Sequence, residues 1–391
     1  MKNRKSFFKG ALCGALAMLL VAGLVSCGLK VNSRNADITT KTDEKISELQ
    51  SLIKKNYMGD VKEKNLEDGI YKGYISGLND PYSVYYNKKE TKELYESTDG
   101  EYSGIGAVMS QNTETGVITL VQVYKDSPAE KAGLKADDIL YKVEGKEVTG
   151  KDLTKVVSKV KGEKGTKVEL TVLRGEDAKE VTVTATRDTV QAQTIEYKML
   201  ADKIGYIEVS EFDSVTYDQY KDALDALEKQ GMTGLVVDLR NNPGGSLSTV
   251  CDMLDLMLPK GLIVYTKDKD GKKTEMKSDE EHQFTKPLAV LVNGNSASAS
   301  EIYSGAIQDY GIGKIVGTQT YGKGVVQQIF DLDDGTAVKL TIAEYFTPKG
   351  RNINGKGITP DVKVKYEKDD NNPDADNQLD KAVEEVKAQM K

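Results

Sequence analysis

From about Ile195 onward, short strand-forming runs alternate with segments whose apolar residues recur at helical spacing. That alternation confines this part of the chain to a layered α/β domain. Strand signals lie at Ile204 to Val209, Leu235 to Leu239, Leu262 to Thr266, Leu288 to Val292, Ile315 to Thr318 and Ala337 to Phe346. Helix signals lie at Tyr217 to Gln230, Ser246 to Leu258 and Ser298 to Tyr310. With 38% hydrophobic residues among 391, the chain has enough apolar material for such a core, and disorder throughout is excluded. The length fits two or three domains.

Simple counts remove several function classes. A net charge of −7 argues against a nucleic-acid binder, which needs a basic face. A single histidine, His282, excludes a multi-histidine metal centre, and no cofactor is called for. Of the three cysteines, Cys13 and Cys27 lie in the N-terminal apolar segment, so the body holds only Cys251 and neither a disulfide framework nor a thiolate cluster.

Residues 1–30 read as an export or anchoring segment. Lys2, Arg4, Lys5 and Lys9 precede 20 uncharged residues, Gly10 to Leu29, which span roughly 30 Å as a helix. The basic flank places the N-terminus in the cytoplasm and the bulk of the chain outside, associated with the membrane. Two readings stand: an uncleaved membrane anchor, or a lipoprotein whose Leu24-Val25-Ser26-Cys27 box leaves Cys27 lipidated.

Residues 31–99 divide into a polar tether, Val31 to about Thr42, and a small helical region. Ile46, Leu49, Ile53 and Tyr57 mark one helix; Leu66, Ile70, Tyr74 and Leu78 mark another, with Asn65 as its N-cap and Asn79-Asp80-Pro81 as its stop. No chemistry is legible there. At the other end, residues 369–391 form a polar linker, Asp369 to Asn377, and an amphipathic helix with Leu379, Val383, Val386 and Met390 on one side.

Between about Glu101 and Arg187 the texture is that of alternating strands. Tyr102-Ser103-Gly104-Ile105-Gly106-Ala107 precedes a strand. On its own the glycine pair reads as a structural turn, or as a concavity of N–H groups able to hold a carboxylate beside a sheet edge that accepts an extended peptide. It is followed by strand runs at Val117 to Val121 and Val168 to Val172, a short helix at Asp126 to Leu134 and a hairpin around Gly145. In that order, residues 100–188 resemble a PDZ domain of the bacterial protease type. The resemblance implies capture of C-terminal peptide tails through Gly104, Ile105 and Gly106.

Within the α/β region, residues 189–368, chemistry concentrates in Val292-Asn293-Gly294-Asn295-Ser296-Ala297-Ser298-Ala299-Ser300-Glu301-Ile302. A serine between strand and helix presents its hydroxyl at the sheet end, beside free helix N–H groups that suit an oxyanion. The same residues also fit a capping box, with Ser298 as N-cap and Glu301 reaching back. His282 lies in a polar run, Asp279 to Gln283, that reads as a solvated loop, so a Ser-His-Asp triad is a poor fit. A neutral lysine is the remaining base, since burial can shift a lysine by up to ~3–5 units. Lys323, in Gly322-Lys323-Gly324-Val325-Val326-Gln327, is the candidate, because its flanking glycines permit close backbone approach. Gly317 to Lys323 begins like a P-loop, but Gly324 stands where Ser or Thr is needed and a strand follows, so nucleotide binding is rejected.

These two motifs, with Gln308-Asp309, Asp238-Leu239-Arg240-Asn241-Asn242-Pro243-Gly244-Gly245, Thr347 to Arg351 and Gly357 to Asp361, resemble the carboxyl-terminal processing peptidases, or tail-specific proteases. The resemblance runs from about Ile46 to the C-terminus. It implies a ClpP/crotonase-like layered α/β protease core joined to a PDZ domain and a small N-terminal helical region. It implies Ser298 as nucleophile, Lys323 as general base 25 residues later, Gln327 as the group orienting the lysine, and the Gly244 and Ala299 N–H groups as the oxyanion hole. It assigns Arg174 a part in coupling peptide binding to activation, and it implies a homodimer built through the terminal helices. The rival readings are a non-catalytic exported PDZ scaffold, and a cysteine enzyme using Cys251 and His282.

Overall fold

The computed structural model describes residues 36–279, 281–369, 371–372 and 375–390. The export segment and Cys27 lie outside the described residues. Among those described, no helix is long and apolar enough to cross a membrane. The chain divides into two compact units, residues 1–66 and 67–391.

The first unit contains α1 (Ala36–Asn56) and the start of α2 (Glu63–Ser76). Two expectations change here. The segment read as a tether as far as Thr42 is helical from Ala36, because polar residues without Gly or Pro extend a helix without needing an apolar face. Asn65 is not an N-cap but lies inside α2; its N–H already donates to the Lys62 carbonyl, 2.9 Å away.

The second unit continues with β1 (Val84–Tyr86) and α3 (Lys88–Asp99). The PDZ-like region follows: β2 (Glu101–Gly104), β3 (Ala107–Gln111), β4 (Ile118–Val123), α4 (Pro128–Lys131), β5 (Ile139–Val143), β6 (Lys146–Glu147), α5 (Leu153–Val160), β7 (Lys167–Arg174), β8 (Lys179–Thr186) and β9 (Asp188–Gln191). Its sheet runs β3-β4-β5-β7-β8 around a core of its own that includes Ile118, Leu120, Leu140, Val156, Val168 and Leu170. The hairpin expected at Gly145 is present, with positive φ at both Glu144 and Gly145.

The α/β region comprises β10 (Ile195–Met199), β11 (Ile204–Val209), α6 (Thr216–Lys229), β12 (Gly234–Asp238), α7 (Leu247–Asp255), β13 (Gly261–Asp268), β14 (Lys273–Ser278), β15 (Leu288–Val292), α8 (Ala299–Tyr310), β16 (Lys314–Gly317), β17 (Val325–Asp331), β18 (Ala337–Phe346), β19 (Val362–Lys363) and α9 (Asn377–Gln389). The central sheet, β10-β11-β12-β15-β16-β19, is parallel from β11 onward. Its inner strands β12 and β15 are buried at every position because both faces are covered. Ile207, Val237 and Val290 join one cluster with residues of α6, α7 and α8; Tyr206, Val236, Ala289 and Leu291 join a second with Ala382 and Val386 of α9. A smaller antiparallel sheet of β1, β18, β13 and β14, with β17 paired to β18, lies beside this core.

The apolar side of α9 is thus spent inside its own chain. Ala382 and Val386 are fully buried, which removes this face from the surfaces expected to form a dimer. Arg240 fixes the start of α9: it bonds both Asp238 at the end of β12 and Asp376, the N-cap of α9, at 2.6 and 2.7 Å. Val386→Ala is expected to lower stability by about 2 kcal/mol through lost burial and a residual cavity. Urea unfolding would register this as a lower midpoint at an unchanged m-value.

Candidate active site

The three serines of Ser296-Ala297-Ser298-Ala299-Ser300 point in different directions. Ser296 Oγ donates to the Leu239 carbonyl (2.7 Å) and Ser300 Oγ to the Asn242 carbonyl (3.0 Å); both residues are fully buried. The outer pair sutures the loop to the segment after β12, and Asn241 and Asn293 exchange hydrogen bonds alongside. Ser298, between them, is left on the wall of a cleft of about 380 Å³ that also presents Gly244, Ala299, Lys323 and Gln327. Its backbone sits at φ 56°, ψ −112°. An N-cap residue normally has extended backbone, so the cap reading alone does not account for this conformation. Such strain costs of order 1–3 kcal/mol and concentrates where a side chain must be aimed.

Lys323 enters the cleft from a loop that only glycine permits. A Cβ at Gly324 would lie 2.4 Å from Asn354 N, and Gly322 has φ 91°. No helix follows; the chain passes directly into β17, consistent with rejection of a P-loop. Burial holds the Lys323 amine below the usual lysine range; Lys339 pushes the same way, and Asp80 and Glu301 oppose them.

The cleft gathers the expected residues without joining them. Lys323 Nζ lies over the Tyr82 ring, 4.7 Å from its centroid, with no hydrogen bond to Ser298 Oγ. Gln327, carried just past an irregularity in the β17–β18 ladder, donates to Thr341 Oγ1 (3.3 Å) and not to the lysine. The Gly244 N–H, expected to face an incoming carbonyl, instead donates to Asn242 Oδ1 at 2.8 Å. The cause is local: Asn242-Pro243-Gly244 closes an Asx turn. Gly244 nevertheless packs against Ser298, since a Cβ there would meet Ser298 Cβ at 2.8 Å and Ala299 N at 3.1 Å. The Ala299 N–H, first in α8, has no hydrogen-bond partner among the described residues.

Elsewhere, Arg174 makes no hydrogen bond to Gly104, Ile105 or Gly106. It pairs with the buried Asp138 (2.6 Å) and donates to the Gly133 carbonyl, because a buried carboxylate needs a counterion. The Ile105 and Gly106 N–H groups have no partner among the described residues, and β3 pairs on one side only, with β4. Helix α5 packs on β3, completing the outline of a peptide groove. Cys251 is buried with its thiol pushed up to about 12 by desolvation and then by Asp252, and His282 is exposed. That pairing offers no accessible thiolate.

Sequence reading missed Asp80, Tyr82 and Asn242. Asn79-Asp80-Pro81 was legible only as a helix stop, and the approach of Asp80 and Tyr82 to Lys323 is a long-range contact with no local signal.

Residues 203–364 match Peptidase family S41, residues 119–174 a PDZ domain, and residues 25–91 the activating protease CtpB N-terminal domain. The carboxy-terminal processing protease CtpA of Bacillus subtilis (strain 168) is 36% identical over 364 residues, covering 93% of this chain and 78% of that protein. The chain belongs to the carboxy-terminal processing protease family. A probable CtpA-like serine protease of Staphylococcus saprophyticus is 36% identical over 353 residues, covering 89% of this chain and 70% of that one. Among solved structures, the photosystem II D1 C-terminal processing protease is 30% identical and covers 81% of this chain and 85% of its own, with a TM-score of 0.48. As a family member the chain is a serine-type protease with an S41 core and a PDZ domain.

Asp213, on the wall of the same cleft, is 5% exposed, and burial followed by Glu211 raises its carboxyl to about 7. A carboxyl raised in the folded state costs stability as pH climbs from the unfolded pKa through the folded one. Asp213→Asn is therefore expected to raise Tm by several degrees at pH 8 and by less than about 1 °C at pH 4. Calorimetry at the two pH values checks the difference.

Proposed function

We propose that the chain is an endopeptidase that captures the C-terminal tail of a protein substrate on its PDZ domain and cleaves peptide bonds with a Ser298–Lys323 dyad through an acyl-enzyme. The observation that carries this reading is the shared cleft: a serine on strained backbone, and a partly desolvated lysine whose amine is held below its ordinary range. Neutral Lys323 takes the Ser298 proton as Oγ attacks the substrate carbonyl. The Ala299 N–H then faces the developing oxyanion, joined by the Gly244 N–H once it leaves Asn242 Oδ1. The protonated amine passes its proton to the leaving nitrogen, and water, activated by the same lysine, hydrolyses the ester. Engagement requires Lys323 Nζ to move from the Tyr82 ring to Ser298 Oγ, with Gln327 turning from Thr341 to hold it.

Gly104, Ile105 and Gly106 would receive the tail carboxylate, with the tail added as a strand beside β3. Arg174 would act through Asp138 rather than by touching the peptide. The proposal keeps export and attachment at the membrane through residues 1–30. It also keeps a homodimer, now through the N-terminal helix, where Leu49 and Leu52 of α1 are exposed.

Ser298→Ala and Lys323→Ala are each expected to reduce kcat on an unfolded protein with an apolar tail by about 10³-fold or more, while Cys251→Ala retains wild-type turnover. Activity should rise with pH along an ionisation well below a free lysine's pKa of about 10.4. Full turnover by Ser298→Ala, or a rise only near the free-lysine value, would remove the dyad.

A further inference from the structure

Glu301 is fully buried, yet its carboxylate serves both loops that carry the dyad. Oε2 accepts the backbone N–H of Ser298 and the backbone N–H of Lys323, each at 2.9 Å. Oε1 accepts the Gly322 N–H at 2.7 Å and the Thr320 hydroxyl at 2.5 Å. These donors fill the four acceptor positions of a carboxylate. Across the same junction the Tyr345 hydroxyl, also buried, lies 2.6 Å from the Lys323 carbonyl and 3.0 Å from the Ser298 carbonyl, and its one proton is shared between them. One group thus takes the N–H of both dyad residues and another takes their carbonyls. A helix cap needs only the Ser298 contact; the bonds to Thr320, Gly322 and Lys323 have no place in capping.

We propose that Glu301 is a positioning residue, assisted by Tyr345, that fixes the Ser298 and Lys323 backbones at working separation whether or not their side chains are engaged. Because the main chains are clamped, only Lys323 Nζ and neighbouring side chains must move for catalysis. The clamp also sets the charge near the amine. The charged and titratable groups around Lys323 are Glu301 from α8, Lys339 and Tyr345 from β18, and Asp80 and Tyr82 from the loop after α2. Glu301 and Asp80 favour the ammonium, and Lys339 opposes it.

The inference rests on the dyad reading, so Ser298→Ala and Lys323→Ala accompany it as controls on the full chain. With a peptide substrate carrying a free C-terminal tail, Glu301→Gln is expected to lower kcat by about 100-fold, the effect of misplacing reacting groups by roughly an ångström. KM should stay within about twofold, because the tail site lies in the PDZ region and the clamp in the α/β core. The rising limb of kcat against pH should also move to lower pH, since a negative charge favouring the ammonium is gone. Tyr345→Phe, which keeps the ring packing, should lose about tenfold in kcat with the limb unmoved. If Glu301→Gln does not fold, Tyr345→Phe decides alone, and wild-type kcat there overturns the proposal. Wild-type kcat in folded Glu301→Gln, or a loss without any shift of the limb, also overturns it. Activity in Ser298→Ala or Lys323→Ala would instead fail the dyad reading; inactive controls beside an active Glu301→Gln would fail the clamp alone.

Discussion

A buried carboxylate must be fully hydrogen-bonded or it destabilises the fold. Glu301 meets that requirement by recruiting donors from two loops that the sequence separates by more than twenty residues. The rest of the site depends on this condition. It draws the Lys323 loop onto the N-terminus of α8, while the segment 354–357 packs so closely on the same loop that positions 322 and 324 leave no room for a Cβ. A satisfied polar network of this kind specifies one arrangement, since each alternative leaves a buried donor or acceptor unpaired.

On that frame the side chains occupy an arrangement short of the one proposed for catalysis. Lys323 lies on Tyr82, Gln327 on Thr341, and the Gly244 N–H on Asn242. Each of these contacts is weak relative to the backbone clamp. A cation–π contact at a partly exposed site is worth about 0.5–1 kcal/mol, and a neutral hydrogen bond about as much net. A bound polypeptide that offers better partners can therefore reorder them without disturbing the fold. The same cleft carries Asp213 and Glu211, both raised by burial, so the site combines two kinds of desolvated titratable group.

Much of this was legible before any coordinates. The runs at Ile204 to Val209, Leu288 to Val292 and Ala337 to Phe346 coincide with β11, β15 and β18; β15 shows the cause most plainly, since a strand covered on both faces carries uninterrupted apolar sequence. The middle serine was indicated by the family resemblance and not by its own segment, which fits a helix cap equally; in the structure its two neighbours of the same type are turned inward as sutures. Local patterns could not show what tertiary contacts decide. Nothing near Asp80-Pro81-Tyr82 signals a lysine more than two hundred residues later. Periodicity revealed that α9 has an apolar side but not whether that side faces its own sheet or another chain. The Asn242-Pro243-Gly244 turn was readable in principle, and it competes for the very N–H assigned to the oxyanion.

The account stands or falls on an uncharged amine at Lys323 at working pH. The direct measurement is an NMR titration of lysine side chains in folded protein, with the Lys323 signal assigned by its loss in Lys323→Arg. A midpoint well below the free-lysine value of about 10.4 is expected. A midpoint at or above that value, in protein shown to be active in the same buffer, would contradict a lysine base.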